Sequence, residues 1–261
     1  MDFAFSEIQQ ELRSQARAWL TEKYPLDRDW DAPQDDRWAE LSELGWLDVA
    51  EAGLGFVEEA LLLEEMGYAL YPGPYLAHVA GQTEVNGFAF DGDGDIESVD
   101  PGRPLRRVSN ASRETPRLRA AMAAEAVGVA QRALDLGVEY AKTREQFGKP
   151  IGVYQAVSHA LANTYTDVEL ARSLAYWAAW CVAEDDEQAA VAAAAAKAFA
   201  AEAAVAACER SIQVLGGIGF TWEHPLHRLY KRALWLEGFG SRPSELRAEV
   251  AEALLGVAVP A

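Results

Sequence analysis

Apolar side chains recur at spacings of three and four residues over most of the chain, and this spacing predicts a mainly α-helical protein. In the first such stretch, Ser6 and Gln9 form a capping-box pattern, and Tyr24-Pro25 marks the end. The predicted helices cover residues 5–23, about 35–44, 56–70, a short turn at 75–80, then 116–142, 153–183, 188–214, 222–237 and 242–256.

The predicted helices fall into two groups separated by a stretch of different composition. Residues 81–113 are rich in Gly, Asp, Asn and Ser and keep no helical period. Two short strands are predicted there, at Glu84–Phe90 and Ile96–Val99. We therefore expect an N-terminal helical domain at 1–80, a short middle segment at 81–114, and at 115–261 a bundle of long antiparallel helices with short connections.

Composition narrows the classes of partner. The chain has 261 residues, a formal net charge of −18 and half of its residues apolar. An acidic surface repels nucleic acid and anionic lipid, so neither is an expected partner. The two cysteines, Cys181 and Cys208, indicate a reducing, cytoplasmic setting. We expect no signal core, since Asp2, Glu7 and Glu11 come early in the chain. We also expect no membrane-spanning stretch, because Lys197 and Glu202 interrupt the alanine-rich run.

Two patterns that could indicate a metal site are weak. Asp91–Asp95 begins like a calcium loop, but Ile96 and Gly102 stand where an EF-hand loop requires glycine and glutamate. A solvated acidic turn is the better interpretation. His224 and His227 lack a third ligand in the pattern, so we expect them to cap and pack a helix. The sequence therefore predicts no metal site.

A local basic stretch stands out in this acidic chain. Between residues 103 and 119 there are six arginines and a single acidic residue, Glu114. A solvated linker that leads into a helix is one interpretation. The other is a binding site for phosphate groups, which guanidinium suits. The arginines are Arg103, Arg106, Arg107, Arg113, Arg117 and Arg119.

Two motifs carry the strongest indication of chemistry. The first is Thr-Arg-Glu-Gln-Phe-Gly-Lys-Pro at 143–150 with Gln155 beyond it, and the second is Gln-Val-Leu-Gly-Gly-Ile-Gly-Phe at 213–220. An arginine at a helix end can contact phosphate with two N–H groups, and paired glycines allow a ligand close to the backbone. Taken separately, each motif also fits an ordinary helix end with a glycine cap.

Taken together, the two motifs resemble those of the C-terminal domain of acyl-CoA dehydrogenases. The resemblance of the chain to this family is strong over residues 115–235 and weak over residues 1–80. The run at 126–134 is similar to the same family. The resemblance implies a β-barrel of about a hundred residues in the middle, whereas the middle segment here is about a third of that length. Since a strand takes about five to six residues plus a turn, this segment is too short for such a barrel.

The resemblance also implies a cofactor and its contacts. By resemblance, the cofactor is FAD, and its ADP half is contacted across a subunit interface by Arg144, Gln146, Phe147, Gln155, Gln213, Gly216 and Gly217. In the family, the barrel of the neighbouring subunit holds the rest of the flavin. Arg119 falls where the family has a substrate-contacting arginine, although Ala120 replaces the proline that follows it in the family.

The catalytic base is not identified. Glu237-Gly238 is superficially similar to the base motif of one branch of the family, but counting from Gly216 places Gly240 at the base position. In a second branch the base position corresponds to Leu118. Glu237 therefore stays a candidate base, with a surface glutamate as the alternative.

The sequence thus supports three hypotheses. The first is a short subunit of a heteromeric FAD-dependent acyl-CoA dehydrogenase. By resemblance, the assembly would be α2β2 with a full-length partner subunit. The substrate would be an acyl-CoA, for example the CoA thioester of a steroid side chain, and the electrons would pass to an electron-transfer acceptor. The second is a catalytically silent helical scaffold subunit. The third is a small stand-alone dehydrogenase that uses Glu237.

Overall fold

The computed structural model confirms the mainly α-helical architecture. It describes residues 4–81, 88–91, 95–103, 105–108 and 114–256. The helices in these ranges are α1 (Glu7–Lys23), α2 (Trp38–Glu43), α3 (Phe56–Ala69), α4 (Tyr75–Val79), α5 (Pro116–Thr143), α6 (Gln155–Ala183), α7 (Ala189–Leu215), α8 (Leu226–Gly238) and α9 (Pro243–Leu255). Each predicted helix is present, with ends displaced by up to four residues.

The start of α1 follows the predicted chemistry. The backbone N–H of Gln9 donates to Ser6 Oγ at 3.2 Å, and the backbone N–H of Ser6 donates to Gln9 Oε1 at 2.9 Å. This reciprocal capping box satisfies two N–H groups that the first helical turn leaves without partners. The helix ends at Lys23, directly before Tyr24-Pro25. The local sequence is therefore sufficient to set both ends of α1.

The described part of the middle segment is a small sheet in place of a barrel. Its strands are β1 (Phe88–Asp91), β2 (Asp95–Ile96) and β3 (Leu105–Val108), in the spatial order β1-β3-β2. β1 pairs with β3 in parallel and β2 pairs with β3 antiparallel. The first predicted strand, Glu84–Phe90, overlaps β1, although residues 84–87 lie outside the described residues. The second, Ile96–Val99, shares only Ile96 with β2, and β3 was not predicted.

Two buried ion pairs fasten this middle segment to the helices. The Arg103 guanidinium donates to Glu125 Oε1 on α5 at 2.6 Å and to the carbonyl of Gly73 at 3.0 Å. Arg232 on α8 donates to the same Glu125 oxygen at 2.6 Å and also binds Asp100. All four charged side chains are buried. Because two cations face two carboxylates, the cluster is balanced, and breaking one contact leaves an uncompensated buried charge.

The core joins the helices before and after the middle segment into one hydrophobic cluster. Alanines of α7 allow close packing against α5, and Gly128 of α5 lies against the backbone of α3 at Glu64. The stretch Ala189–Phe220 is long and apolar enough to cross a membrane, but 67% of its most apolar window is buried inside the protein. This burial is what a core helix shows. Cys181 and Cys208 are both free thiols in buried positions.

Candidate functional site

The residues of the two sequence motifs lie at one end of the helical bundle. Because α5, α6 and α7 follow one another with short connections, the C-terminal ends of α5 and α7 and the first turn of α6 share that end. Contact near this end confirms the arrangement: a Cβ on Gly137 of α5 would lie 2.8 Å from Ser211 Oγ of α7. The motif residues Arg144 and Gln213 follow shortly after these two positions.

A two-residue β-hairpin carries the first motif. Strands β4 (Glu145–Gln146) and β5 (Lys149–Pro150) pair antiparallel, and Phe147 and Gly148 form the turn with φ of 53° and 74°. Positive φ at both central positions is what a type I′ hairpin requires, but for Phe it is strained. The side chain of Phe147 is 92% exposed. A strained, exposed aromatic residue is typical of a functional contact.

The hairpin corrects one interpretation of the sequence. An ordinary helix end with a glycine cap was an alternative for this motif. Instead, α5 ends at Thr143 with Arg144 in an extended conformation, and Gly148 belongs to the hairpin turn. Two hydrogen bonds fix the backbone of Arg144. Its N–H donates to the carbonyl of Tyr140, and its carbonyl accepts from the N–H of Ile151, each at 2.8 Å. Its exposed side chain has no carboxylate within 4.0 Å among the described residues.

The second motif presents open backbone. Gly216 ends α7 with a φ of 65°, and a Cβ on Gly216 or Gly217 would meet no atom within 4 Å. By contrast, a Cβ on Gly219 would lie 2.9 Å from the carbonyl oxygen of Ile212, so Gly219 serves packing. The first two glycines therefore leave space on the surface that no part of the described chain fills. Gln213 beside them is exposed.

Exposed aromatic side chains lie at the end of the second motif and directly after it. Phe220 is 75% exposed and Trp222 is 74% exposed. Gln146 and Gln155 are exposed as well, and the phenol of Tyr154 donates to the carbonyl of Gln146 at 3.0 Å, which steadies the hairpin. The end of the bundle thus offers one guanidinium, several side-chain amides and apolar rings. This donor set suits an anionic ligand with an aromatic part.

A second cluster occupies the loop between α8 and α9, where sequence counting placed the base position. A Cβ on Gly240 would lie 2.7 Å from Glu114 Oε1. Glu114 pairs with the buried Lys197, whose Nζ also donates to the carbonyls of Phe239 at 2.6 Å and Ser241 at 3.1 Å. The Glu114 carboxylate therefore fills the space beside Gly240, and Lys197 fixes the loop on both sides of it.

The protonation of this cluster follows from its contacts. Burial alone would raise the pKa of Glu114, but the charge of Lys197 and hydrogen bonds from Lys197 and Ser241 hold the pKa below its usual value. Burial lowers the pKa of Lys197, and Glu114 offsets only part of that effect. A carboxylate held as an anion by a buried ammonium is a poor proton acceptor. Glu114 thus acts as a structural ion-pair partner here.

Arg119 lies against the same loop. Its guanidinium donates to Glu114 Oε2 at 3.1 Å, to Glu249 Oε2 at 2.6 Å and to Ser241 Oγ at 3.3 Å. Its role in binding substrate stays a prediction. Arg103 and Arg117, from the same basic stretch, also bind carboxylates of this chain, Glu125 and Glu59. The side chains of Arg106, Arg107 and Arg113 lie outside those described.

Glu237 lies apart from the Glu114 cluster, in the last turn of α8. It is half-buried and has no hydrogen bond or ion pair among the described residues. Burial raises its pKa, and repulsion from Glu202 and Glu209 of α7 raises the pKa further. These acidic neighbours indicate a helix surface exposed to solvent. Leu118, at the alternative base position, is buried.

The two histidines take structural contacts. Nδ1 of His224 accepts the backbone N–H of Leu226 at 3.2 Å and so caps α8, while the ring of His227 packs against Trp222 with centroids 4.7 Å apart. Within the described ranges, no group of three or more His, Cys, Asp or Glu side chains could hold a metal ion. The acidic loop at 91–95 is only partly described, since residues 92–94 lie outside those ranges.

Comparison with known proteins identifies the family. The profile of the acyl-CoA dehydrogenase C-terminal domain matches residues 109–254, and that of the acyl-CoA dehydrogenase N-terminal domain matches residues 6–87. The chain belongs to the acyl-CoA dehydrogenase family. The two matched domains are the two helical parts of the structure, which meet across the short middle segment.

Curated acyl-CoA dehydrogenase relatives match part of the chain. Acyl-CoA dehydrogenase FadE34 of Mycobacterium tuberculosis is 47% identical over 119 residues, which are 45% of this chain and 17% of that protein. Acyl-CoA dehydrogenase IpdE2 of the same organism is 39% identical over 148 residues, 53% of this chain and 44% of that protein. The chain thus spans less than half the length of these relatives.

Solved structures share the acyl-CoA dehydrogenase fold. A chain of the ChsE4-ChsE5 complex from M. tuberculosis aligns with a TM-score of 0.75 and 22% identity over 100% of both chains. Butyryl-CoA dehydrogenase from Megasphaera elsdenii aligns with a TM-score of 0.79 and 19% identity over 98% of this chain and all of the other. A variant of the Tcur3481-Tcur3483 steroid ACAD aligns with a TM-score of 0.73 and 23% identity over 96% of this chain and 98% of the other.

Sequence reasoning missed two residues that shape the site. Glu114 was counted only as the acidic exception in a basic stretch, and Lys197 only as an interruption of an apolar helix. A lysine within an alanine-rich buried helix is a signal for a buried ion pair, because an unpaired ammonium is costly to bury. The partner itself could not be found from one sequence, since it lies 83 positions away.

Proposed function

We propose that this chain is the shorter subunit of a heteromeric, FAD-dependent acyl-CoA dehydrogenase, and that it supplies the ADP-side half of a flavin site shared with a longer partner. One observation carries the proposal. The chain presents an exposed, unneutralised Arg144 and the open Gly216-Gly217 turn at one end of the bundle, yet the described part of its middle segment holds only strands of two to four residues. It has contacts that suit a nucleotide, and the described residues of its middle segment form a small sheet in place of a barrel that could hold a flavin.

The residues present fit the ADP part of the cofactor. The Arg144 guanidinium suits the pyrophosphate, and the amides of Gln146, Gln155 and Gln213 suit polar edges of the nucleotide. Gly216 and Gly217 leave room for close approach, as a Cβ at either position would fill open space. Phe147 supplies an exposed ring that a partner or the nucleotide can cover. When bound, the flavin supplies the redox chemistry of α,β-desaturation.

The base is assigned to the partner subunit. Glu114 is held as an anion by Lys197, and Glu237 lies among other acidic side chains of α7 and α8. Glu114 is thus neutralised by a cation, and Glu237, which has no ion pair among the described residues, lies beside acidic side chains and three residues before the counted base position, Gly240. The ChsE4-ChsE5 and Tcur3481-Tcur3483 structures are complexes of two different chains, which supports a partner subunit. An α2β2 assembly with a full-length partner is part of the proposal, and a steroid-derived acyl-CoA is its substrate class because the second of these structures is a steroid ACAD. A cytoplasmic location and an electron-transfer acceptor belong to the same proposal.

The decisive experiment is co-purification of this chain with a full-length acyl-CoA dehydrogenase partner, with flavin read by absorbance. Arg144→Ala should lower the flavin content of the complex about tenfold, the order expected for losing charge-assisted hydrogen bonds. Lys142→Ala, which removes an exposed cation two residues earlier, is the matched control and should leave the flavin content unchanged.

Other outcomes identify other functions. Unchanged flavin in the Arg144→Ala complex, together with altered assembly, would indicate a catalytically silent scaffold. A full complement of FAD on the isolated chain, with turnover abolished by Glu237→Gln, would indicate a stand-alone dehydrogenase. Either result would contradict the shared flavin site.

A further inference from the structure

Positive charge collects on one face of α8. Arg228, Lys231 and Arg232 stand at positions i, i+3 and i+4, so their side chains leave the helix on the same side. They line a cavity of about 100 Å³, whose other walls include Trp30 and Gln34 of the loop after α1 and Asp100–Gly102 of the middle segment. The cavity thus lies where three separate parts of the chain meet.

Two of these cations lack a counter-charge in contact. Arg232 is bound by Asp100 and Glu125. Within the described part of the chain, Arg228 and Lys231 have no carboxylate within 4.0 Å. Asp31 and Asp100 attract Arg228 only from a distance, and Nζ of Lys231 lies 4.6 Å from the ring of Trp222. The cavity therefore has an excess of positive charge in a chain whose net charge is −18.

A further guanidinium, that of Arg28, lies close to the cavity without lining it. The ring of Trp30 lies 3.6 Å from Arg28 Cζ and 4.6 Å from Arg228 Cζ. Arg28 donates to carbonyl oxygens, among them Leu70 at 2.8 Å, and these contacts leave its charge unneutralised. Burial lowers the pKa of Arg28 to about 10, with repulsion from Arg232 and Arg228 contributing. Cations held together in this way repel one another until an anion binds among them.

We propose that this cavity binds a phosphoryl group through Arg228 and Lys231. A guanidinium fork and an ammonium are the side chains that proteins use for phosphate. The cavity volume of about 100 Å³ leaves room for a phosphate group. The cavity contains none of Arg144, Gln155, Gln213 or Gly216, so this site is separate from the proposed flavin contacts.

The phosphoryl group can come from free phosphate or from a nucleotide whose remaining part stays outside the cavity. In both cases the anion would bridge the loop after α1, the middle segment and α8. A ligand that binds only the folded state raises its stability, by an amount that grows with the logarithm of ligand concentration once the site is mostly filled. Phosphate should therefore raise the melting temperature of the full chain more than chloride does at equal ionic strength.

The test is a calorimetric titration of inorganic phosphate, and separately of ADP, into the full chain at constant ionic strength. The Arg228→Gln/Lys231→Gln variant should bind phosphate at least about tenfold more weakly, because charge-assisted hydrogen bonds are lost. The Arg242→Gln/Arg247→Gln variant removes two exposed cations, one directly before α9 and one within it, and should bind within about twofold of the unmodified chain.

The titrations distinguish the two sources of the phosphoryl group. If ADP binds more tightly than phosphate and the Arg228→Gln/Lys231→Gln variant loses this binding, the group belongs to a nucleotide. If ADP and phosphate bind equally, it is free phosphate. The proposal is overturned if the unmodified chain shows no saturable phosphate binding at millimolar concentration, if acetate competes equally, or if both double variants lose affinity alike. If the Arg228→Gln/Lys231→Gln variant loses its helical circular dichroism signal, the Lys231→Gln variant replaces it, and the proposal then requires that Lys231→Gln alone weaken phosphate binding.

Discussion

At the residue scale, the glycines divide into those that pack and those that leave open space. A Cβ on Gly128 of α5 would overlap the carbonyl oxygen of Glu64 and lie 2.7 Å from the backbone nitrogen of Tyr68. Backbone atoms cannot move aside as the end of a side chain can. Gly217, in contrast, has no atom within 4 Å of its Cβ position. One glycine is therefore required by the α3–α5 packing and the other is available to a ligand.

We predict that Gly128→Ala lowers the free energy of unfolding by about 3 kcal/mol, because the added methyl group forces α3 and α5 apart. Urea unfolding followed by circular dichroism measures this. Gly217→Ala should stay within about 0.5 kcal/mol of the unmodified chain. If both variants unfold at the same urea concentration, the α3–α5 contact is not as close as described here.

The sequence predicted some of these residue roles and could not predict others. The resemblance to the family motifs singled out Arg144 and the Gly216-Gly217 pair, and both lie at the same end of the bundle. The strained φ of Phe147 was not predicted, because nothing in a single sequence distinguishes a hairpin from a glycine-capped helix end. The partner of Arg119 at Glu249 was also beyond reach, since 130 positions separate the two.

At the element scale, helix prediction succeeded where periodicity is long and local. β3 was missed because a four-residue strand gains its hydrogen bonds from β1 and β2, and its arginines were interpreted only as part of a linker or of a phosphate site. The middle segment as a whole depends on distant contacts. Asp100 and Arg103 connect it to α8 and α5 through Arg232 and Glu125.

We expect Arg103→Met to loosen the middle segment. The substitution leaves the buried Glu125 carboxylate with one cation instead of two, and breaking a buried pair costs about 3–5 kcal/mol. Limited proteolysis should show faster cleavage within residues 81–114, and hydrogen exchange should speed up there. Arg210→Met, which breaks the partly exposed Arg210–Asp167 pair, is the control and should cost about 1 kcal/mol or less. Equal cleavage of both variants would argue against the anchoring role.

At the scale of the whole molecule, buried carboxylates link the stability of the fold to pH. Burial opposes ionisation of Asp100, Glu114 and Glu125, yet their cationic partners hold the pKa of each below its usual value. A folded-state pKa below the unfolded value means that the unfolded chain binds more protons in acid. The stabilisation is complete above the ordinary pKa values, 3.8 for the aspartate and 4.5 for the glutamates, and is lost as pH falls through the lower folded-state values. Burial raises the pKa of Glu59 and Glu237, which act in the opposite direction.

The free energy of unfolding should therefore decrease as pH falls from about 5 to about 3, since the ion-paired carboxylates become protonated. Urea unfolding at several pH values checks this. Glu114→Gln should be less stable than the unmodified chain at pH 7 but should lose less on acidification, because one of the groups with a lowered pKa is gone. An unchanged slope in this variant would show that Glu114 does not contribute.

The burial of Cys181 and Cys208 has a practical consequence. Burial raises the pKa of both thiols, so at neutral pH neither presents a reactive thiolate, and they are the two cysteines of the chain. Thiol nucleophilicity depends on the thiolate and on access. A cysteine introduced at Lys149, on the exposed hairpin, would consequently take a maleimide dye without background labelling. Such a dye would report docking of a second protein on the Arg144 end by a change in fluorescence, with no need to follow turnover.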